Sequence, residues 1–245
     1  MNVQVEVTTR CNFGCFYCAG RDMPQKDMSL DQCKSIIDRH VERYGVPVEI
    51  SLQGEGEPTL NHSFFDMAAY AKDVGALPYT ITNGTYKYPE HFAASFSKLG
   101  VSVDTLDPHE ANQIGRYNLP RVIEFINAAK FSVTVIIHSV ALSPSIQKVA
   151  DWCAREGFTH IVQPLQTKPD YQYRYPQMVV MHRKPSRFKC AYLTRDLMRY
   201  YTIGGTELPC FSIKDTKTFI SISDLRAQFL ARQEPSTCIG CRYLG

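Results

Sequence analysis

Cys11, Cys15 and Cys18 stand in the run Cys11-Asn-Phe-Gly-Cys15-Phe-Tyr-Cys18, directly after the alternating stretch Val3-Gln-Val-Glu-Val-Thr8. Three thiolates on one short loop can hold three corners of a cubane iron–sulfur cluster. With no fourth cysteine nearby, one iron keeps a position open to something other than protein. A structural zinc would want a fourth ligand and paired spacing, and the fourth is missing locally. A second set follows far along the chain: Cys190, Cys210 and the pair in Cys238-Ile-Gly-Cys241. Between the first two lies Tyr201-Thr-Ile-Gly-Gly-Thr-Glu-Leu-Pro-Cys210, which reads as a β-hairpin turning at Gly204-Gly205. Four thiolates gathered this way close an all-protein site, and the residue types leave tetrahedral zinc and a cubane cluster both open. Cys33 and Cys153 fall on helical faces, where a free cysteine packs as a small apolar residue.

The elements that must position these ligands are legible in the hydrophobic period. The predicted strands are Val3–Thr8, 48–52, 78–82, 101–105, 132–139 and 160–164. Between them lie predicted helices: one capped by Ser29 with Gln32 three residues on, then others near 64–74, 91–99 and 119–129. A last one starts at Pro144 with Ser143 as its cap and runs to Glu156. Repeated β-α units imply a parallel sheet with right-handed crossovers, whose site lies at the carboxyl ends of the strands. The 245 residues, 44% of them hydrophobic, suffice for a barrel-sized core with a small appendage. The expected fold is therefore α/β, and the period breaks after Pro164. The expected division is a barrel over 1–165, a linker or substrate-facing segment over 166–189 and a cysteine-rich unit over 190–245.

Composition excludes several function classes. A net charge of +3 is too small to argue for nucleic-acid or membrane binding. No apolar run spans a bilayer and no basic-then-apolar leader precedes the first strand, so a cytoplasmic protein is expected. Nine cysteines in that compartment read as metal ligands in preference to disulfides.

Polar residues collect where the strands end. Gln53-Gly54-Glu55-Gly56-Glu57-Pro58 follows the second strand; its glycines let backbone approach a ligand, and its carboxylates can accept from an ammonium group. Asn83 in Thr82-Asn83-Gly84 ends the third strand, Ser102 and Asp104 lie on the fourth, Ser139 ends the fifth and Gln163 the sixth.

The C-x3-C-x2-C spacing, with an aromatic before the last cysteine, resembles the signature of the radical S-adenosylmethionine enzymes, and the likeness extends over roughly residues 1–165. The resemblance implies a partial (β/α)6 TIM-like barrel and a [4Fe–4S] cluster on Cys11, Cys15 and Cys18. The open iron would be chelated by the amino and carboxylate groups of S-adenosylmethionine, and an external one-electron reductant such as flavodoxin or ferredoxin would feed it. Gly56, Glu57 and Pro58 match the family's Gly-Gly-Glu-Pro motif, which holds the methionine amino group; Glu55 departs from it. Tyr17 matches the aromatic beside the adenine ring, and the resemblance suggests cofactor contacts for Asn83, Asp104, Ser139 and Gln163.

The spacing of the late cysteines resembles the twitch domain, a shortened relative of the SPASM extension. That implies an auxiliary [4Fe–4S] cluster on Cys190, Cys210, Cys238 and Cys241. The layout is similar to that of 2-deoxy-scyllo-inosamine dehydrogenase, and it implies hydrogen abstraction from a small molecule or short peptide site, ending in a two-electron oxidation. The alternatives are crosslinking, epimerisation or maturation of a ribosomally made peptide or protein, and a non-catalytic iron–sulfur sensor or scaffold. The first strand begins at residue 3, so no fused amino-terminal peptide-recognition domain is expected. Tyr171, Tyr173 and Tyr175, with Lys168 and Arg174 nearby, could line a substrate site or dock the appendage. His182-Arg-Lys and Arg187-Phe-Lys189 add local positive charge.

Overall fold

The computed structural model describes residues 2–18, 23–165, 188–213, 216–241 and 243–244. The tyrosine-rich and basic stretches of 166–187 lie outside the described residues.

The chain alternates strand and helix as its period predicts. The exception is the fourth predicted strand, which lies at Lys98–Ser102 rather than 101–105, so the helix before it stops at Ser95 and Asp104 falls beyond the strand. Strand β1 (Asn2–Val5) leads into the cysteine loop and helix α1 (Leu30–Tyr44), then β2 (Glu49–Leu52) and α2 (Phe64–Asp73). Next come β3 (Leu77–Tyr79), β4 (Ile81–Thr82), α3 (His91–Ser95), β5 (Lys98–Ser102), α4 (Pro108–Ile114) and α5 (Leu119–Ala129). Strand β6 (Thr134–Ala141), α6 (Ile146–Glu156) and β7 (Thr159–Pro164) complete the series. The carboxyl-terminal part holds α7 (Ala191–Thr194), β8 (Met198–Tyr201), β9 (Glu207–Leu208) and α8 (Ile222–Leu230).

Local chemistry explains most of these boundaries. Ser29 caps α1 by accepting from the Gln32 amide at 3.2 Å, and Cys33, Ile36 and Ile37 face the core. Helix α4 has no counterpart among the expected elements. Asp107 caps it, accepting from the amides of His109 and Glu110 at 2.8 and 3.1 Å, with Pro108 in the first turn. Helix α6 begins after Ser145, two residues later than expected. The Ser143 hydroxyl accepts from the Ser145 amide at 3.2 Å and donates to Glu110 at 2.5 Å, so it ties the loop to α4.

Two sheets result, in the orders β3-β2-β1-β8-β9 and β4-β5-β6-β7, with every pairing parallel except β8 with β9. The single third strand expected over 78–82 is split at Thr80. Its hydroxyl donates to the Leu52 carbonyl at 2.7 Å and its carbonyl accepts from the Gly100 amide at 2.8 Å, so the two sheets meet there. The parallel strands therefore curve as a partial barrel. Its helix-facing side is one apolar cluster that includes Val3, Val5, Ile50, Leu52, Leu99 and Val101.

The carboxyl-terminal hairpin joins the barrel itself. Strand β8 runs parallel to β1, with Asn2 opposite Met198 and Val5 opposite Tyr201, while β9 folds back antiparallel. Leu193, Met198, Tyr200, Leu208, Cys210, Ile213 and Leu225 form a second, smaller core there.

Candidate functional site

The carboxyl ends of the strands open into a cavity of about 370 Å³. Cys11, Cys15 and Cys18 line it, together with Gly56, Glu57, Asn83 and Gln163. Long-range ties hold the cysteine loop over that mouth. The Asn83 side-chain Nδ2 donates to Asn12 Oδ1 at 2.7 Å, and Asn12 Nδ2 donates in turn to the Thr85 hydroxyl at 2.9 Å. The Gly14 amide donates to the Gly115 carbonyl at 2.9 Å and the Phe16 amide to that of Ile114 at 3.0 Å. Cys18 Sγ lies 3.5 Å from the Glu55 carbonyl oxygen, which sets the third cysteine beside the Gln53–Pro58 loop. Burial pushes the Cys11 and Cys15 thiols up from their usual range.

Gly56 packs directly against the cysteine loop. A Cβ there would stand 2.5 Å from the carbonyl oxygens of both Thr8 and Arg10, so only glycine permits this approach. Glu57 is 2% exposed and fully engaged in building the strand ends. Its Oε1 accepts from the Thr59 amide, the Thr59 hydroxyl and the Thr82 hydroxyl at 3.2, 2.7 and 2.7 Å, and its Oε2 from the Asn83 amide at 2.7 Å. Burial raises its pKa and these donors oppose the rise. The motif carboxylate thus braces the turn at Thr59 against the end of β4, and Glu57 also lines the cavity. Pro58 is buried and starts the turn Pro58–Leu60, outside the cavity lining.

Tyr17, Asp104 and Arg116 form a triad at the cavity wall, with Asp104 buried and the other two partly buried. Asp104 Oδ2 accepts from the Tyr17 hydroxyl and from Arg116 Nε, both at 2.5 Å, and Oδ1 accepts from the Val140 amide at 2.8 Å. Arg116 Nη2 reaches the Tyr17 hydroxyl at 2.5 Å. Burial opposes the Arg116 charge, yet Asp104 and Tyr17 hold its pKa well above the usual value. Tyr17 and Arg116 line the cavity, while Asp104 stands behind them and is not part of its lining. Ser139 is likewise not at a strand end, because β6 continues to Ala141. Its hydroxyl bonds the Val103 carbonyl and lies 2.8 Å from His160 Nε2, while Val140, on the opposite face, lines the cavity.

Arg116 is the functional candidate that strand-by-strand reading misses. It follows Gly115, the cap of α4, and the signal was the Asp107-Pro108 start with Gly115 as stop, which marks a helix and leaves a cation just beyond it. Gln4, Gln53 and Ser102 also line the cavity, and Gln53 Oε1 is buried there without a hydrogen-bond partner.

Cys190, Cys210, Cys238 and Cys241 line a small second cavity of about 20 Å³, with Tyr192 and Tyr243 in its wall. Phe211 packs edge-on against both tyrosines, with ring centroids 6.0 and 5.7 Å away, and also lines the larger cavity. Among the described residues no three His, Cys, Asp or Glu side chains converge where one ion would sit. A cubane takes one thiolate per iron and does not need such convergence. The donor sets thus fit one site of three thiolates facing a ligand cavity and one closed by four. Among the described residues no helix is long and apolar enough to cross a membrane.

Comparison with known proteins agrees with this geometry. An S-adenosylmethionine-dependent nucleotide dehydratase from Selenomonas ruminantium is 34% identical over 121 residues, covering 47% of this chain and 43% of that protein. A probable GTP 3',8-cyclase from Methanococcus maripaludis is 26% identical over 233 residues, covering 88% of this chain and 77% of that protein. Some relatives are thus matched over less than half of their own length. Among solved structures, Streptococcus suis SuiB bound to S-adenosylmethionine superposes with a TM-score of 0.70 at 12% identity, covering 96% of this chain and 66% of that one. BtrN in complex with AdoMet and 2-DOIA gives 0.53 at 15%, covering 94% and 83%. These likenesses show an α/β fold with the parallel strands of a partial TIM-like barrel. The model of the radical SAM superfamily matches residues 5–143, from β1 through the loop after β6, and the chain belongs to that superfamily.

Proposed function

We propose that the protein oxidises a small molecule or a short peptide site by two electrons, using S-adenosylmethionine at the cysteine loop and an auxiliary [4Fe–4S] cluster on Cys190, Cys210, Cys238 and Cys241. Bound together at Cys11, Cys15 and Cys18, the cluster and S-adenosylmethionine supply a 5'-deoxyadenosyl radical after one-electron reduction. The chain's own residues orient the reactants. Arg116 presents a partly buried cation to the cavity and suits the methionine carboxylate. The backbone of Gly54 to Gly56 faces the same space and suits the ammonium group. Tyr17 supplies a flat wall to the cavity, and Asn83 and Gln163 supply polar edges.

The observation that carries the oxidative reading is Phe211. It is a wall of the large cavity and the next residue after Cys210 of the four-thiol site, so a substrate radical would form beside an electron acceptor. With both groups bound, the substrate would give up one hydrogen atom to the deoxyadenosyl group, one electron to the four-thiolate cluster and one proton to solvent, a net two-electron oxidation. The dehydratase and cyclase relatives support a second reading, in which the substrate is a nucleotide and the outcome is elimination or ring formation.

Anaerobic reconstitution followed by counting iron, sulfide and zinc tests the oxidative proposal. About eight irons and eight sulfides per chain, with deoxyadenosine formed under reductant, are expected. About four irons and one zinc would make the second site structural and defeat internal electron acceptance. Deoxyadenosine formation that persists in Cys11→Ala would defeat the cofactor assignment.

A further inference from the structure

Glu6 is a buried carboxylate immediately beyond β1, 2% exposed, and it joins parts of the chain that are far apart in sequence. Its Oε1 accepts from the Glu55 amide at 3.2 Å, inside the loop that runs along the cysteines. The same oxygen accepts from the Tyr200 hydroxyl at 3.2 Å, and Oε2 accepts from the Ile203 amide at 2.8 Å, both in the carboxyl-terminal hairpin. Its own amide donates to the Tyr201 carbonyl at 2.9 Å, while the neighbouring Val5 carbonyl accepts from the Gln53 amide at 3.0 Å. Gly54 lies flat on this side chain: a Cβ there would come within 2.4 Å of Glu6 Cγ.

We infer that Glu6 is a positioning residue that couples the S-adenosylmethionine-binding loop to the carboxyl-terminal extension, so that docking of the hairpin fixes the loop in its binding geometry. The inference rests on the cofactor assignment above. A carboxylate offers only acceptors, and here they meet two backbone N–H groups and a hydroxyl with little water to compete. If the hairpin moves, Glu6 loses the Tyr200 and Ile203 donors that fix its carboxylate, and with them the orientation it presents to the Glu55 amide. Because coupling between two sites is reciprocal, filling the cofactor site must also steady the hairpin.

Glutamine is nearly isosteric at this position but aims an NH2 group at one of these donors, so one contact becomes a donor–donor clash. The test is amide hydrogen exchange on the anaerobically reconstituted protein, without reductant, in the presence and absence of S-adenosylmethionine. In wild type the ligand should slow exchange at Glu55 and, by about tenfold, at Ile203, which lies within the usual range of such couplings. In Glu6→Gln the effect at Ile203 should disappear while protection at the cysteine loop remains and the dissociation constant rises about tenfold. Tyr200→Phe leaves the two amide contacts in place and should keep part of the protection at Ile203. Protection at Glu55 with none at Ile203 in wild type would overturn the coupling alone. Equal protection at Ile203 in wild type and Glu6→Gln would do the same. Absence of protection at both places would overturn the cofactor assignment along with it.

Discussion

Replacing Arg116 by methionine should destabilise the protein strongly, and adding Asp104→Asn should restore much of what is lost. The pair meets at 2.5 Å with side chains 14% and 0% exposed. At an effective dielectric of about 20, charges roughly 4 Å apart attract by about 4 kcal/mol. Removing one partner of a buried pair costs about 3–5 kcal/mol, because the other charge remains desolvated. After Arg116→Met, Asp104 keeps only the Val140 amide and the Tyr17 hydroxyl of the contacts described. After Asp104→Asn alone, the guanidinium faces neutral partners. In the double variant no charge of the pair remains buried, and the introduced asparagine can still accept from the Val140 amide through its side-chain carbonyl. Each single variant should lower the melting temperature by roughly 6–20 °C for a chain of this size, and the double by clearly less than the sum. Urea unfolding followed by fluorescence of Trp152, at unchanged slope, measures the three midpoints. A coupling energy under about 0.5 kcal/mol would refute the buried-pair reasoning. Affinity for S-adenosylmethionine separates the second role of Arg116. The double variant should bind at least about tenfold more weakly than wild type although its fold is restored, as expected on losing a charged hydrogen bond of about 1.5–3 kcal/mol. Wild-type affinity in Arg116→Met would remove Arg116 from the binding assignment.

Gly56→Ala puts a methyl group against two carbonyl oxygens at 2.5 Å and should displace the loop from the cysteines, so cluster incorporation by iron count and absorbance should fall while the α6 side of the barrel stays folded. Wild-type iron content would show that the loop tolerates the shift. Cys238→Ala with Cys241→Ala should lower iron from about eight to about four per chain, leave some deoxyadenosine formation and block substrate oxidation; full product formation would make that site structural. His40 is fully buried, and burial, reinforced by Arg43, Arg199 and Arg39 and opposed by Glu207, lowers its pKa to about 4. Unfolded histidine titrates near 6.5, so between about pH 6.5 and 4 the unfolded chain binds the extra proton and stability falls with pH, by at most about 3 kcal/mol; above 6.5 the effect is absent. His40→Gln should flatten that slope in urea midpoints at pH 7 and 4.5, and an unchanged slope would assign it to other groups.

The sequence alone determined much of what local chemistry decides, with helix α4, marked by Asp107-Pro108 and Gly115, the exception. The cysteine spacing defines which ligands can share a loop. Hydrophobic period and the Ser29 cap place α1, and α5 spans residues 119–129 as its apolar pattern predicts. The hairpin turn after Tyr201 follows from its paired glycines, and its strands pair as expected. Each of these depends on neighbours within a turn or two of chain. What only the tertiary structure decided depends on partners far away in sequence. That β8 lies parallel beside β1 is set by a second apolar core and by Glu6, not by any local pattern. The break at Thr80 arises where the two sheets meet, with Leu52 bonded on one side and Gly100 on the other, and a period of two reads straight through it. Ser139 faces away from the cavity because its neighbour Val140 takes the cavity side of β6, and in a strand one residue of position decides the face. Arg116 reaches Asp104 and Tyr17 across separations of 12 and 99 residues, and the Glu57 carboxylate spends its acceptors on Thr82 and Asn83, 25 and 26 residues on. Residue type and spacing therefore identify the chemistry available. Which side chain faces the ligand and which one braces it is settled by packing, because a buried charge or hydroxyl must take its partner from whatever the fold brings beside it.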